Sequence, residues 1–370
     1  MSCDTETKDR SIHICFVSLE AYPLFNQKIR RIHGGSAVDI LNIATELKKD
    51  KNFSISLITG DFNQPESEVI DDITIYKTKD LQNHPFKATL NIWKAMNKAD
   101  ADIYFRKGAS LITVLVAVFC RLKSKLLFHR SSNTGHCDGT YLREHWLRGR
   151  LFKWSLRQAA IVLVQNKTEV NSLMQAMGIS SVFIPNGHHL GVVGQEQRNS
   201  ILWIGRTGLY KRPELFVRLA KEFANEKFVM ICPRNRIGES YKDLKLDEAD
   251  NIEFHEQVPF QQIDDFFQRA KVFVNTSDYE GFPNTFIQTC KCSTPILSLN
   301  VNPDGFLDRY NCGLCANGDW ELFVDMLKQM LNRETAQKLG NNARKYVEEN
   351  HDITKIVEQY KKCFTQILQS

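Results

Sequence analysis

Three short segments of this 370-residue chain carry residue types whose spacing suits chemistry. The first is His33-Gly34-Gly35-Ser36. Paired glycines let a backbone approach a ligand closely, and the helical pattern that starts here would offer free N–H groups to an anion or a hydroxyl. A Gly-Gly helix start serves a purely structural turn just as well. The second is Gly205-Arg206 followed by Lys211-Arg212-Pro213. A predicted strand ends at Gly205, and Pro213 marks the first turn of a helix. Arg206 presents a fork of donors and Lys211 a point charge, so the two suit a diphosphate held at a strand's carboxyl end. Solvated loop charges would read the same way. The third is Glu280-Gly281-Phe282-Pro283-Asn284-Thr285, with Gln288 eight residues after Glu280. A helix starting near Asn284 leaves Glu280 in the loop before it and puts Gln288 one turn inside, both facing one small ligand. Asn284 and Thr285 then stand where amides and short polar side chains hold phosphate.

Elements that could position these segments alternate along the chain. β-Branched runs predict strands at 13–19, 54–60, 73–77, 103–107, 125–130, 161–165 and 182–185. Helical runs are expected between them at 36–49, 87–98, 109–122, 142–157 and 167–177. The clearest is the i, i+3, i+4, i+7 pattern of Ala37, Ile40, Leu41, Ala44 and Leu47. Pro185-Asn186-Gly187 closes the series, and a stretch without periodicity, 188–200, predicts a domain boundary. A second series has strands at 201–205, 228–232, 252–255, 272–275 and 295–299, with helices at 214–224, 260–269, 284–290, 320–331, 333–350 and 354–368. Strand–helix alternation of this kind predicts parallel sheets covered by helices. The expectation is an α/β chain of two doubly wound, Rossmann-like domains facing across a cleft, one over 1–190 and one over 200–350. A terminal helix over 351–370 is expected to pack back toward the first. Ligands of open α/β sheets bind outside the carboxyl ends of the strands.

Composition narrows the class. With 42% apolar and 25% charged residues the chain is an ordinary globular one, not a disordered or collagenous one. Its longest apolar run, 111–120, is far short of the roughly 20 residues a membrane-spanning helix needs. No secretory signal opens it, and the ten scattered cysteines read as free thiols in a reducing cytosol. Net charge is +5, but residues 1–190 hold 25 Lys and Arg against 18 Asp and Glu, while 191–370 hold 23 against 25. The excess concentrates in 121–157, with nine basic residues and two acidic ones. On one continuous helix Arg143, Arg150, Lys153 and Arg157 would form a stripe beside Leu142 and Trp146. That stripe predicts contact with an anionic membrane surface; a solvated basic face is the plainer alternative. Asp100-Ala101-Asp102 reads as a turn and Cys312-Gly313-Leu314-Cys315 as a loop with buried thiols, since a lone Cys-x-x-Cys lacks the four ligands of a zinc site.

In their order and separation the second and third segments resemble those of the family 4 glycosyltransferases, retaining enzymes of the GT-B fold. Gly205-Arg206 with Lys211 is similar to the family's Gly-Arg…Lys segment. Glu280-Gly281-Phe282-Pro283 through Gln288 is similar to its Glu-x7-Glu segment, and Pro185-Asn186-Gly187 to the turn before its inter-domain linker. The resemblance covers nearly the whole chain. It implies that Arg206 and Lys211 bind the donor diphosphate and that Glu280 contacts hydroxyls of the transferred sugar. It also implies that Gly205, Gly281, Phe282, Asn284, Thr285 and Gln288 complete the donor site, while Gly34 and Gly35 line the acceptor side. His129 matches a family position where a histidine approaches the reacting sugar. The family's second Glu is Gln288 here, which loses a charge-assisted hydrogen bond. Ser293, Glu256-Gln257 and Pro233-Arg234-Asn235-Arg236 stand where glycines are usual.

The resemblance therefore implies transfer of a hexose-type sugar from a UDP- or GDP-linked donor to a glycan or lipid-linked acceptor, in surface polysaccharide or glycoconjugate assembly. It implies no metal and no cofactor. A nucleic-acid partner would leave Arg206, Lys211 and Glu280 unexplained, and the free thiols with the basic stripe point to a cytoplasmic enzyme, peripheral at the inner face of the membrane if the stripe meets lipid. Gln288 keeps open a non-catalytic nucleotide-sugar-binding or scaffold protein of the same fold, and a nucleotide-sugar epimerase is a separate alternative within that fold.

Overall fold

The computed structural model describes residues 11–26, 28, 29, 34–78, 85–194, 197–233, 244 and 246–369. His33 of the first segment and Arg234-Asn235-Arg236 lie outside the described residues. The chain divides into two compact units. Unit 1 takes residues 1–165, 169–184 and 357–370; unit 2 takes 166–168 and 185–356.

Unit 1 is built on an eight-stranded sheet: β1 (Ile12–Val17), β2 (Phe53–Thr59), β3 (Ser67–Ile70), β4 (Ile73–Lys77), β5 (Ile103–Lys107), β6 (Leu126–Arg130), β7 (Ile161–Val164) and β8 (Val182–Phe183). Their order is β3-β4-β2-β1-β5-β6-β7-β8. Every pair is parallel except β3 with β4. The central strands are apolar on both faces because helices cover both, and Ile14 to Val17 are fully buried. β3 is not legible in the sequence: Ser-Glu-Val-Ile is short, polar and partly exposed, and it pairs only at the sheet edge, where pattern is weak.

Unit 2 continues with β9 (Ser200–Ile204), β10 (Phe228–Ile231), β11 (Ile252–His255), β12 (Ala270–Asn275), β13 (Ile296–Ser298) and β14 (Gly313–Cys315). All are parallel, in the order β11-β10-β9-β12-β13-β14. Gly313 to Cys315, expected in a loop, is therefore an edge strand, with its thiols buried. Gly313 is required there, since a Cβ would come within 2.4 Å of the Ile296 carbonyl oxygen. All nine described cysteines are free, eight of them buried.

The continuous helix expected over 142–157 is corrected. The chain forms a short helix, Thr140–Glu144, breaks at His145 (φ −130°, ψ 72°), and starts a second helix, Trp146–Gln158. Gly149 is pressed against the first of these, where a Cβ would meet the Leu142 Cα at 2.7 Å. Arg143 thus leaves the stripe, because a wheel projection assumes one axis where there are two. Trp146 and Leu147 are 65% and 60% exposed, and the Arg150 guanidinium lies 4.5 Å from the Trp146 ring centre.

A buried ionic cluster ties the carboxyl ends of β5 and β6 to the helix Gly35–Leu47. Lys107 Nζ donates to Asp39 Oδ2 at 2.8 Å, and Arg130 Nε lies 3.0 Å from the same oxygen, all three side chains being buried. Burial pulls the Lys107 ammonium below its ordinary value, and Asp39 opposes that pull. Glu169 accepts from Ser131 Oγ at 2.8 Å and from the Gln165 N–H at 3.0 Å. The helix Ile353–Gln369 covers the cluster: Arg130 lies 5.7 Å from the Tyr360 ring centre, and Phe364 packs on Phe128 at 5.0 Å. Removing one partner of a buried pair strands the other charge. Asp39→Asn should cost about 3 kcal/mol of unfolding free energy, read by urea denaturation followed by circular dichroism. A loss below about 1 kcal/mol would show that Lys107 and Arg130 do not depend on Asp39.

Candidate functional site

The site is assembled at the carboxyl ends of two neighbouring strands of unit 2, β9 and β12. β9 delivers Trp203, whose indole packs under the strand end. A Cβ on Gly205 would come within 2.7 Å of that ring, so the glycine is demanded by the tryptophan as much as by any ligand. Trp203 Nε1 donates to Thr276 Oγ1 at 2.9 Å, and the same hydroxyl donates to the Lys211 carbonyl at 2.8 Å. The Asp278 N–H donates to the Tyr210 carbonyl at 2.8 Å. These bonds lash the loop after β9 to the loop after β12, and Thr276 is wholly buried between them.

Across that seam the predicted residues meet. Lys211 Nζ donates to Glu280 Oε1 at 2.5 Å, with 17% and 14% of the two side chains exposed. Ser277 Oγ donates to the same carboxylate oxygen at 3.0 Å, and Ser277 is oriented in turn by Asn275. Arg206 is half-buried in the same β9 loop. Arg212 follows in the left-handed region (φ 49°) and pairs with Glu214 at 2.6 Å and Asp278 at 3.3 Å.

The turn Gly281–Pro283 leads into the helix Asn284–Lys291. Its carbonyls are held from outside the motif. Asn166 Nδ2 donates to the Gly281 carbonyl at 3.3 Å, and Asn186 Nδ2 donates to that of Phe282 at 3.1 Å. The Phe282 ring packs against His351 at 4.8 Å and Phe306 at 5.2 Å. His188 Nε2 lies 3.2 Å from Asn284 Oδ1. His351 Nδ1 contacts the Asn186 carbonyl at 2.7 Å, and burial pulls its pKa down to about 4. Among the described residues the N–H groups of Gly281, Phe282 and Thr285 make no hydrogen bond within the chain. With its carbonyls occupied, the turn has donors to offer a ligand, at a helix end whose dipole favours negative charge. Gln288 is buried on the second turn of that helix, flanked by the core residues Ile287 and Thr289.

Unit 1 holds the remaining expected residues. Gly34 precedes the helix Gly35–Leu47, half-buried and in extended conformation, and Gly35 is exposed. His129 lies inside β6, 1% exposed, with Nε2 3.2 Å from the Gly108 carbonyl oxygen. That contact makes Nε2 the protonated nitrogen, and Nδ1 has no partner among the described residues. Burial pulls its pKa down to about 3, so the ring is neutral at pH 7. Five positioning residues of unit 2 carry no signal in the sequence: Asn166, His188, Trp203, Thr276 and Ser277. Asn186 is legible there only as part of a Pro-Asn-Gly turn.

The site's two loops fall inside a stretch with known relatives. Residues 192–346 match the protein family described as Glycosyl transferases group 1. The capsular polysaccharide biosynthesis glycosyltransferase CapM of Staphylococcus aureus is 26% identical over 144 residues. That alignment spans 36% of this chain and only 37% of the relative's own length. Among solved structures, sucrose-phosphate synthase of Thermosynechococcus elongatus superposes with a TM-score of 0.79 at 17% identity, covering 97% of this chain and 99% of that one. Anabaena HepE, solved with UDP and glucose, gives 0.69 at 13% identity over 96% and 100%. An S. aureus TarM variant, solved with fondaparinux, alpha-GlcNAc-glycerol and UDP, gives 0.73 at 12% identity over 95% and 99%. At these identities the likeness shows the fold, which is GT-B.

The buried hydroxyl of Thr276 is the joint of the site. Thr276→Val removes it without changing shape and leaves the Trp203 N–H and the Lys211 carbonyl unpaired, which should cost about 2 kcal/mol. Thr276→Ser, which keeps the hydroxyl, should recover at least half of that loss. Urea denaturation of the two variants checks this, and equal losses would mean that the methyl contact, not the hydrogen bonds, holds the loops.

Proposed function

We propose that this protein is a retaining glycosyltransferase that moves a hexose from a nucleotide sugar to a glycan or lipid-linked acceptor. The observation that carries the reading is the meeting of Lys211 with Glu280 beside a turn whose carbonyls are occupied and whose N–H groups are available. The match of residues 192–346 supports transfer chemistry, and the UDP in the HepE and TarM structures supports a nucleotide-linked donor. CapM's part in capsular polysaccharide biosynthesis supports a setting in surface polysaccharide assembly.

In this reading Arg206 and Lys211 bind the diphosphate, and the N–H groups of Gly281, Phe282 and Thr285 bind sugar and phosphate oxygens. Glu280, held by Lys211 and Ser277, accepts hydrogen bonds from hydroxyls of the transferred sugar. Gln288 meets the nucleotide ribose through one acceptor and two donors in place of a carboxylate. Breaking the bond between the anomeric carbon and the phosphate oxygen leaves its electron pair on the diphosphate. Fixed cations and a helix amino end offset that charge, and electrostatic stabilisation of this kind commonly contributes more to catalysis than any other effect. The acceptor oxygen bonds to the anomeric carbon on the face the phosphate leaves, and the departing phosphate oxygen takes the acceptor's proton. The step needs no protein nucleophile, no metal and no cofactor. Gly34 and Gly35 are assigned to the acceptor side, and His129, neutral at pH 7, to hydrogen bonding rather than proton transfer.

Thermal shift and slow donor hydrolysis with a panel of UDP-, GDP- and ADP-sugars test the reading. One nucleotide class should raise the melting temperature and be hydrolysed, with EDTA without effect. Lys211→Ala should lower that turnover by about 100-fold. Turnover that survives both Lys211→Ala and Glu280→Ala refutes the site, and stabilisation without any turnover favours a binding module instead.

The same reading places the enzyme at the cytoplasmic face of a membrane, through the exposed Trp146 and Leu147 and the exposed Arg148, Arg150 and Arg157. Among the described residues no helix is long and apolar enough to cross a bilayer. An amphipathic ring at the headgroup level flanked by arginines suits an anionic surface. The protein should co-sediment with phosphatidylglycerol vesicles at low salt, and charge reversal of Arg150, Lys153 and Arg157 should release it. Absence of sedimentation, or sedimentation unchanged by the reversal, rules out the membrane contact.

A further inference from the structure

The loops that carry Lys211 and Glu280 also carry two tyrosines that the donor site leaves unused. Tyr210 directly precedes Lys211, and Tyr279 directly precedes Glu280. Their rings stack on each other, with centres 5.3 Å apart and planes 23° apart. Both remain open to solvent, Tyr210 at 40% and Tyr279 at 54%. Beside them, Arg212 pairs with Asp278 across the same seam. Three consecutive residues of one loop, 210–212, thus each face a residue among 278–280 of the other. The Asp278 N–H to Tyr210 carbonyl bond and the Thr276 relay fix both backbones. The aromatic pair is consequently set before any ligand arrives, which lowers the ordering cost of binding to it.

We propose that the Tyr210–Tyr279 pair is a stacking subsite for a pyranose ring of the acceptor glycan. The proposal rests on the glycosyltransferase reading for the word acceptor; the binding of a sugar ring it claims stands on the geometry. A pyranose presents a face of C–H bonds and a rim of hydroxyls. Lys211 Nζ stands over the Tyr210 ring, 5.3 Å from its centre, so the stacked pair meets the first chiefly with the more exposed ring of Tyr279. The neighbouring Lys211–Glu280 and Arg212–Asp278 pairs offer donors and acceptors to the second. A nucleobase has no slot between the rings, because each already covers the other's inner face. An acyl chain would meet four charged side chains beside the rings. Placement also fits: each tyrosine is adjacent in sequence to a side chain assigned to the donor sugar or its diphosphate, so a ring stacked here neighbours the reacting centre.

The test is fluorine NMR of the full chain labelled with 3-fluorotyrosine, with the two resonances assigned by Tyr210→Phe and Tyr279→Phe. The probes are methyl α-D-glucopyranoside, methyl α-D-mannopyranoside and methyl N-acetyl-β-D-glucosaminide, each titrated to about 50 mM, well above the millimolar affinity of one stacked ring. At least one should shift the Tyr210 and Tyr279 signals saturably while leaving most of the other eight tyrosines unmoved. In Tyr279→Ala the midpoint read at Tyr210 should rise about tenfold. No shift with any of the three, or an unaltered midpoint in Tyr279→Ala, overturns the subsite. So does a shift that uridine alone produces more strongly than any glycoside, which assigns the pair to the nucleoside. Failure of the enzymatic reading shows separately, as absence of stabilisation by any nucleotide sugar in the donor panel.

Discussion

A buried carbonyl must find a donor, and the turn at Gly281 and Phe282 finds its two in the amides of Asn166 and Asn186. Much of the site follows from that requirement. With both carbonyls fixed, both peptide planes are fixed; the first aims the Phe282 N–H by default, and the second ends on Pro283, which has no N–H to aim. Phe282 is locked between His351 and Phe306 as a result, and Glu280 is delivered to Lys211. His351 closes the circle by holding the backbone of Asn186 itself. Neither asparagine belongs to the segments predicted to meet a donor, yet the turn within them takes its direction from both.

A second constraint acts from the sheet. β9 and β12 are adjacent, so the loops that leave their carboxyl ends run side by side, joined by the Thr276 hydroxyl, the Asp278 N–H to Tyr210 carbonyl bond and the Lys211–Glu280 pair. This is the physical content of a binding site at the carboxyl edge of a parallel sheet: neighbouring strands bring together residues that are far apart in sequence. Lys211 and Glu280 are a rigid pair because Trp203, Thr276 and Ser277 are buried around them. The glycine at 205 is the space that Trp203 requires.

What the sequence disclosed and what it hid divide along the same line. Local signals were legible: the helix beginning at Gly35 announced itself by one apolar face, the strand before Gly205 by its apolar run, and the Glu280 turn by its residues. Even the absence of a charge at Gln288 was readable. The supporting partners were not. Asn166 lies 115 residues from Gly281 and His188 lies 96 from Asn284, and nothing in either neighbourhood marks an amide or a ring as the partner of a distant group. Short edge strands such as Ser67–Ile70 and Gly313–Cys315 are also hidden, because half their partners are missing and their alternation is too brief to count. The break at His145 was hidden for another reason. It depends on Gly149 lying against Leu142, a fact of packing that periodicity cannot express.

The helix Ile353–Gln369 has a consequence for how the molecule comes into being. Its first turn groups with unit 2, while Val357 onward belongs to unit 1, where Phe364 meets Phe53 and Phe128 and Tyr360 faces Arg130. Unit 2 is nearly contiguous in sequence, so a growing chain can close it as soon as its own residues emerge. Unit 1 cannot be finished when its sheet emerges. Translation proceeds at roughly 5–20 residues per second. For the time taken to make about 180 residues, the sheet of unit 1 must therefore stand with aromatic side chains and a charged cluster uncovered. The first half made is the last half sealed, and that interval is when a chaperone would have most to do.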